Sequence, residues 1–217
     1  MKTFVYIVVA VAATATGFLI YRFGIEPRLV QEPPATAEPA AVAGSPSQIP
    51  AELPDFTLVD RKGEPRSIRS WPGKSLIVNF WATWCAPCRR EIPLLKQINE
   101  DYAEQGFQVV GIAVDFREDV LKYADEMQIN YPLLIGEQDG LDAINAFGLE
   151  AVAFPFTIFT DQQSRIVLTH LGEVTEEESK LLLDIIERVN RGELTPQAAR
   201  AVASEQLAKL EQETPAV

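Results

Sequence analysis

The chain has 217 residues, of which 47% are hydrophobic and 23% charged, an ordinary globular composition of domain size. Its formal net charge of −12 argues against nucleic-acid binding, which needs a positive surface to displace counterions. Two cysteines cannot build a disulfide-stapled scaffold, and with a single histidine they cannot complete a CxxC…CxxC or CxxC…HxxxH zinc site.

The first element is "TFVYIVVAVAATATGFLIYRF", Thr3 to Phe23, which carries no charge before Arg22. A helix needs about 20 apolar residues to cross a bilayer, and aromatic residues favour the interfaces, where Tyr6 and Tyr21 fall. Residues 1–23 are therefore expected to be a transmembrane signal anchor. The alternative is a cleavable signal with Ala13-Thr14-Ala15 as its small-x-small site, which would leave Gly17-Phe18-Leu19-Ile20 near the new terminus. Lys2 before the span is balanced by Arg22 and Arg28 after it, so charge alone does not orient the chain. Residues 24–50, rich in Pro, Ala and Glu, have no apolar periodicity and form an extended linker.

The folded domain is expected over residues 51–192. "DFTLVD" and "RSIRSW" flank Arg61-Lys62-Gly63 and predict an N-terminal hairpin. "SLIVNFW", Ser75–Trp81, is a continuous apolar run between turn signals, as in a buried central strand. A helix follows from Ala86 to Gln105, with Ile92, Leu95, Ile98 and Tyr102 on one face. "FQVVGIAVD" is a second buried strand, and "REDVLKYADEM" a helix with Val120, Tyr123, Ala124 and Met127 on one side. "YPLLIG" gives a third strand and "GLDAINAFG" a short helix ending at Gly148. "FTIFTD" and "RIVLTHL" form a hairpin around Gln162-Gln163-Ser164. Thr175 and Glu178 make a capping box that opens a helix stopped at Gly192. Strands alternating with helices, then a hairpin and a helix, give an α/β fold with a central mixed sheet. Residues 193–217 are a helical C-terminal extension, with Thr195 as N-cap, Pro196 at the first helical position and an apolar face of Ala199, Val202, Ala203, Leu207 and Leu210. Packing of that face on the domain is favoured over a partner.

The chemistry concentrates in "NFWATWCAPCRREIP", Asn79–Pro93. The strand ends near Ala82 and the helix starts near Cys85. Unpaired N–H groups and the positive end of the helix dipole stabilise a thiolate there and lower its pKa. Cys85, at the tip, is the expected nucleophile. Cys88, one turn deeper on the same side, can attack a mixed disulfide on Cys85 and release the partner. Pro87 fixes the backbone between them and removes a competing donor. Trp84 would shield the pair. Glu91 follows Cys88 by three residues and shares its helix face. It is either the acid–base group for Cys88 or a solvated helix charge. Arg89 and Arg90 favour the thiolate but are expected to be exposed and screened. Pro93 lies inside the helix and costs it a hydrogen bond.

These residues resemble the thioredoxin superfamily, and more closely its membrane-tethered TlpA/ResA/CcmG-like branch, over roughly Pro50 to Gly192. "FWATWCAPC" carries the resemblance, with Pro93 at the superfamily's helix-kink position. "AFPFTIF" looks like its second hallmark, a cis proline, here Pro155, that faces the cysteine pair. The resemblance implies a thioredoxin-like fold and a redox-active Cys85–Cys88 disulfide, with no cofactor and no metal. It implies substrate pairing along the backbone beside Phe154 and Pro155, and it gives Glu91 the branch's acidic position. The implied function is reduction of disulfides in envelope proteins, as in cytochrome c maturation or metal-centre assembly. The catalytic domain would face the periplasm from the cytoplasmic membrane and take electrons from a membrane thiol donor of the CcdA/DsbD type. Two departures stand out. Thioredoxins carry a buried Asp where this chain has Asn79, which cannot accept a proton, and the Gly-x-Pro-Glu signature of dedicated cytochrome c maturation members is missing before Pro155.

Other readings stay open at this level. One is an isomerase or oxidase on the same chemistry. Another is a non-enzymatic binding or metallochaperone module with a structural disulfide, although His170, in the last hairpin, is far along the chain from the cysteines. A peroxiredoxin is disfavoured, because the place three residues before the nucleophile is Ala82 where those enzymes have Thr or Ser.

Overall fold

The computed structural model describes residues 49–149 and 153–213. The expected span at Thr3–Phe23 and the linker up to residue 48 lie outside the described residues. Among the described residues no helix is long and apolar enough to cross a membrane.

Strands β1 (Thr57–Asp60) and β2 (Pro65–Ser67) form the expected antiparallel hairpin. Its turn is held by Asp60 Oδ1, which accepts from the amides of Lys62 and Glu64 at 2.8 and 3.1 Å. Strand β3 (Ser75–Trp81) is buried at every position, the polar Ser75 and Asn79 included. It pairs in parallel with β4 (Phe107–Ala113), and β4 in parallel with β5 (Leu133–Ile135). On its other side β3 pairs antiparallel with β6 (Phe156–Thr160), which turns back into β7 (Ile166–Leu171). The seven strands stand in the order β2-β1-β5-β4-β3-β6-β7, a mixed sheet with β3 near its middle.

Five helices accompany the sheet among the described residues: α1 (Ala86–Asp101), α2 (Arg117–Glu126), α3 (Gln138–Ala146), α4 (Glu176–Asn190) and α5 (Pro196–Glu213). Buried side chains of α1, α2, α4 and α5 join one core cluster on one sheet face, with Ile77, Trp81, Val109 and Leu133. Those of α3 join the cluster on the other face, with Val78, Phe80, Ile112 and Phe156. The capping box of α4 forms as expected, Glu178 N–H donating to Thr175 Oγ1 and Glu178 Oε2 accepting from Thr175 N–H.

Several strands are shorter than the sequence reading gave them, β2 and β4 among them, and helices α1 and α3 also differ from it. Helix α1 stops at Asp101, not Gln105. Tyr102 closes it with an N–H bond to Ile98 O, and the chain turns through Gly106 at φ 90° to enter β4. The Tyr102 ring continues the apolar periodicity only because it folds edge-on against Phe107, the first residue of β4. Helix α3 starts two residues before the expected Gly140. That glycine is a contact point inside the helix, where an added Cβ would sit 3.2 Å from Val114 Cγ2.

Helix α5 packs on the domain. Ala199 and Ala203 are buried against α4 and β7, while Val202, Leu207 and Leu210 are only half-buried. Arg200 anchors it, its guanidinium donating to the carbonyls of Ile166 and Val167 on β7 at 2.7 and 3.0 Å.

Candidate active site

Cys85 is the N-cap of α1, and Cys88 is its third residue. With Pro87 between them lacking an N–H, the amide of Cys88 donates to Cys85 Sγ at 3.2 Å. The pair is joined as a disulfide across 5.3 Å of Cα separation. Upon reduction, the same N–H and the helix N-terminus would face a thiolate on Cys85, the arrangement that lowers a thiol's pKa. Cys85 retains 5% of its surface and Cys88 none, so the outer sulfur is the one a partner can reach.

The loop that carries the pair is fastened to the loop after β4. Asp115 accepts from Thr83 through both its amide, at 3.0 Å, and its hydroxyl, at 2.5 Å. Trp84 differs from the expectation of a shield: it is 68% exposed and meets only the edge of Phe154, with ring centroids 5.9 Å apart. It forms a rim. The Phe154–Pro155 bond is cis, as the resemblance implied, and Pro155 leads into β6, whose Phe156 lies opposite Phe80 of β3. That register sets the proline loop at the end of β3 from which the cysteine loop departs. Pro93 is tolerated within α1 because both it and Arg89, whose carbonyl it leaves without an amide donor, are on the exposed side.

Glu91 is not a solvated charge. It is 2% exposed, three residues on from a fully buried Cys88 and on the same helix face. Its two oxygens are gripped from different elements. Oε1 accepts from Asn79 Nδ2 at 2.6 Å, and Oε2 from the amide of Val174, in the β7–α4 loop, at 3.0 Å. Burial pushes its carboxyl up to about 7; the bonds from Val174 and Asn79 pull it down, and the neighbouring charge of Glu173 adds to the rise. Glu173 is itself bound by Arg90, at 2.5 Å, so one of the two arginines serves the loop behind Glu91. The other, Arg89, lies over the Tyr123 ring at 5.5 Å. Burial also holds the Tyr131 hydroxyl well above the usual phenol range, with the charge of Glu91 contributing.

The structure thus brings Trp84, Cys85, Pro87, Cys88, Glu91, Phe154 and Pro155 to one end of β3. It also adds residues the sequence reading missed. Val174 acts through its backbone and leaves no side-chain signal. Thr157 could have been found from the expected β3–β6 pairing, which sets it opposite Asn79, and its Oγ1 accepts from Asn79 Nδ2 at 3.0 Å. His170, far off in the chain, is Thr157's partner on β7 and so stands in the same cross-strand row.

The sequence profile of the AhpC/TSA family matches residues 49–169, from the start of the described domain to β7. The chain belongs to the AhpC/TSA family. Among family relatives, the thiol-disulfide oxidoreductase ResA of Halalkalibacterium halodurans is 32% identical over 133 residues, 61% of this chain and 73% of the relative. Thioredoxin-like protein YneN of Bacillus subtilis is 32% identical over 140 residues, 62% of this chain and 78% of that one. A solved structure of a thioredoxin-family thiol:disulfide interchange protein from Chlorobium tepidum matches with a TM-score of 0.51 and 35% identity, covering 57% of this chain and 86% of that one. Within the family this chain has a thioredoxin-like fold and is a thiol–disulfide oxidoreductase whose redox group is its own cysteine pair.

Proposed function

We propose that the chain is a membrane-tethered protein-disulfide reductase working outside the cytoplasmic membrane. Cys85 is the attacking thiolate, Cys88 the resolving thiol and Glu91 the acid–base group. The observation that carries this reading is the burial of Glu91 one helical turn on from the buried Cys88, with both of its oxygens held by hydrogen bonds; that burial lifts its carboxyl to about 7. A group titrating near ambient pH can both take and return a proton.

The cycle balances as follows. The Cys85 thiolate attacks a substrate disulfide, forming a Cys85–substrate bond and expelling the substrate's other sulfur as a thiolate, which takes a proton from water. Cys88 gives its proton to Glu91 and attacks Cys85 Sγ. The Cys85–Cys88 bond forms and the Cys85–substrate bond breaks, leaving the substrate reduced by two electrons and the enzyme oxidised. A membrane dithiol donor of the CcdA/DsbD type would reverse these steps on the enzyme, and Glu91 would return the proton to Cys88. The substrate backbone would lie beside Phe154 and Pro155, with Trp84 as its rim, in the manner of strand addition. The apolar span at Thr3–Phe23, free of charge before Arg22, supports tethering, and the proline-rich linker supports reach. Disulfide-bearing envelope proteins, among them cysteine pairs destined for haem or metal centres, are the substrate class this location would supply.

Cys88→Ser removes the resolving thiol and leaves the Cys85–substrate bond intact. Expressed in cells, it should accumulate disulfide-linked partners that disappear on reduction, while the Cys85→Ser, Cys88→Ser double variant should accumulate none. Equal yields from the two variants would sink the reading. The reductive direction is checked by redox titration. The expected potential lies nearer the roughly −270 mV of thioredoxin than the roughly −120 mV of the strong oxidant DsbA, because Ala86-Pro87 brings no cation to over-stabilise the thiolate.

A further inference from the structure

We propose that Asn79, anchored across the sheet by Thr157, is a positioning residue that presents the Glu91 carboxylate to Cys88 for proton exchange. The proposal rests on the reading above that Glu91 exchanges a proton with Cys88. It starts from the fully buried amide of Asn79. Both hydrogens of Nδ2 are in use, one on Glu91 Oε1 at 2.6 Å and one on Thr157 Oγ1 at 3.0 Å. Its Oδ1 has no hydrogen-bond partner among the described residues. Turning the amide over would set that carbonyl oxygen against an ionised carboxylate, so the carboxylate selects the Nδ2 end. Thr157, whose hydroxyl can pair with either end, ties that end across the sheet and holds it in place. With Oε2 held by the Val174 amide, the carboxylate is clamped between β3 and the β7–α4 loop.

An aspartate in place of Asn79 would act differently. Two buried carboxyls at this spacing share one proton, and one of them is driven strongly upward. An asparagine gives Glu91 a donor that does not titrate. The groups facing Glu91 are accounted for. Helix α1 contributes Cys88, and the β4–β5 connection contributes Tyr131. The β7–α4 loop contributes Glu173, paired with Arg90, and β7 contributes His170, whose Nε2 lies 3.4 Å from the carbonyl of Glu173. Strands β3 and β6 contribute only the neutral Asn79 and Thr157.

The test uses the oxidised protein, in which neither cysteine titrates, and follows the Glu91 carboxyl carbon by NMR. The wild-type midpoint is expected at about 7. Thr157→Val, isosteric and outside the cysteine loop, should move it upward by about one pH unit, and Thr157→Ser should restore it. Asn79→Ala should shift it the same way, and Asn79→Asp should add a second, coupled carboxyl step. The pH profile of mixed-disulfide resolution by Cys88 should follow the same order. Midpoints of Thr157→Val within about 0.2 unit of wild type would overturn the proposal, even if Asn79→Ala proves too unstable to measure. The underlying reading is separable. If Glu91→Gln leaves the resolution profile unchanged, the Glu91 assignment fails; if Glu91→Gln moves it and Thr157→Val does not, only the role of Asn79 and Thr157 fails.

Discussion

Glu91 is costly to the fold as well as useful to the chemistry. Its carboxyl ionises at 4.5 in an unfolded chain but only near 7 in the folded one, because burial opposes the charge. Between those values the folded protein holds a proton that the unfolded chain has lost. Stability therefore falls as pH rises through that interval and levels off above it, a loss of about 3 kcal/mol by linkage. Glu91→Gln removes the titration. Its amide can still accept from Val174 and can donate to Asn79 Oδ1 if that amide turns over. The variant should match wild type near pH 4 and exceed it by roughly 2–3 kcal/mol near pH 8, read by thermal unfolding at both. A difference that stays constant across pH would contradict the buried, elevated carboxyl. At this scale the sequence was legible in part. Spacing alone put Glu91 on the Cys88 face. The residue types show that Asn79 cannot accept a proton and that Glu91 can, but not that the two side chains form one hydrogen-bonded site. That contact depends on how β3 lies under α1, which no local pattern reports.

The elements were more legible than their ends. Apolar runs located β3 to the residue and β4 at its start, its observed end at Ala113 falling two residues before the expected Asp115. Helix ends were set by backbone events, such as the turn at Gly106, that compete with side-chain periodicity. Gly111 shows a further constraint within a strand. It lies opposite Asn79 in the β3–β4 register, and there a Cβ would come within 2.7 Å of Leu133 Cδ2, 3.0 Å of Tyr131 Cε2 and 3.1 Å of Trp81 Nε1. Leu133, Tyr131 and Trp81 are all buried, so none can move aside cheaply. Gly111→Ala should destabilise the protein by about 1–3 kcal/mol through overpacking. It should also disturb Glu91, because the displaced Trp81 and Tyr131 belong to the cluster that holds Cys88. Chemical denaturation gives the first effect and the redox midpoint the second. A change in stability below about 0.5 kcal/mol would show that the three side chains yield more easily than their burial implies.

The whole molecule places its chemistry at one end of β3 and closes the far edge of the sheet with chain from outside the sheet. Strand β7 is an edge, and exposed edges invite pairing with other chains. Its start is covered by the 51–53 segment, where Ile166 N–H donates to Ala51 O at 2.9 Å and Leu53 N–H to Ser164 O at 2.8 Å. Beyond that, Arg200 of α5 occupies the carbonyls of Ile166 and Val167. Helix α5 also forms one wall of an apolar depression, Ala203 and Leu207 facing Ile166, Leu168 and Leu182. The periodicity of residues 196–213 revealed a helix with a modest stripe, but its main anchor is an arginine that sequence patterning counts as surface. Truncation after Gly192 should therefore expose backbone acceptors and apolar side chains together. The shortened protein should unfold at a lower temperature and self-associate in a concentration-dependent way by light scattering. Its redox potential should not change, since no α5 side chain contacts the cysteine loop among the contacts that fasten it. Arg200→Ala tests the edge alone and should cost about 1–3 kcal/mol, because two carbonyls lose a charged donor. If truncation left the protein monomeric and equally stable, α5 would be dispensable packing, and the protection of β7 would have to come from the 51–53 segment.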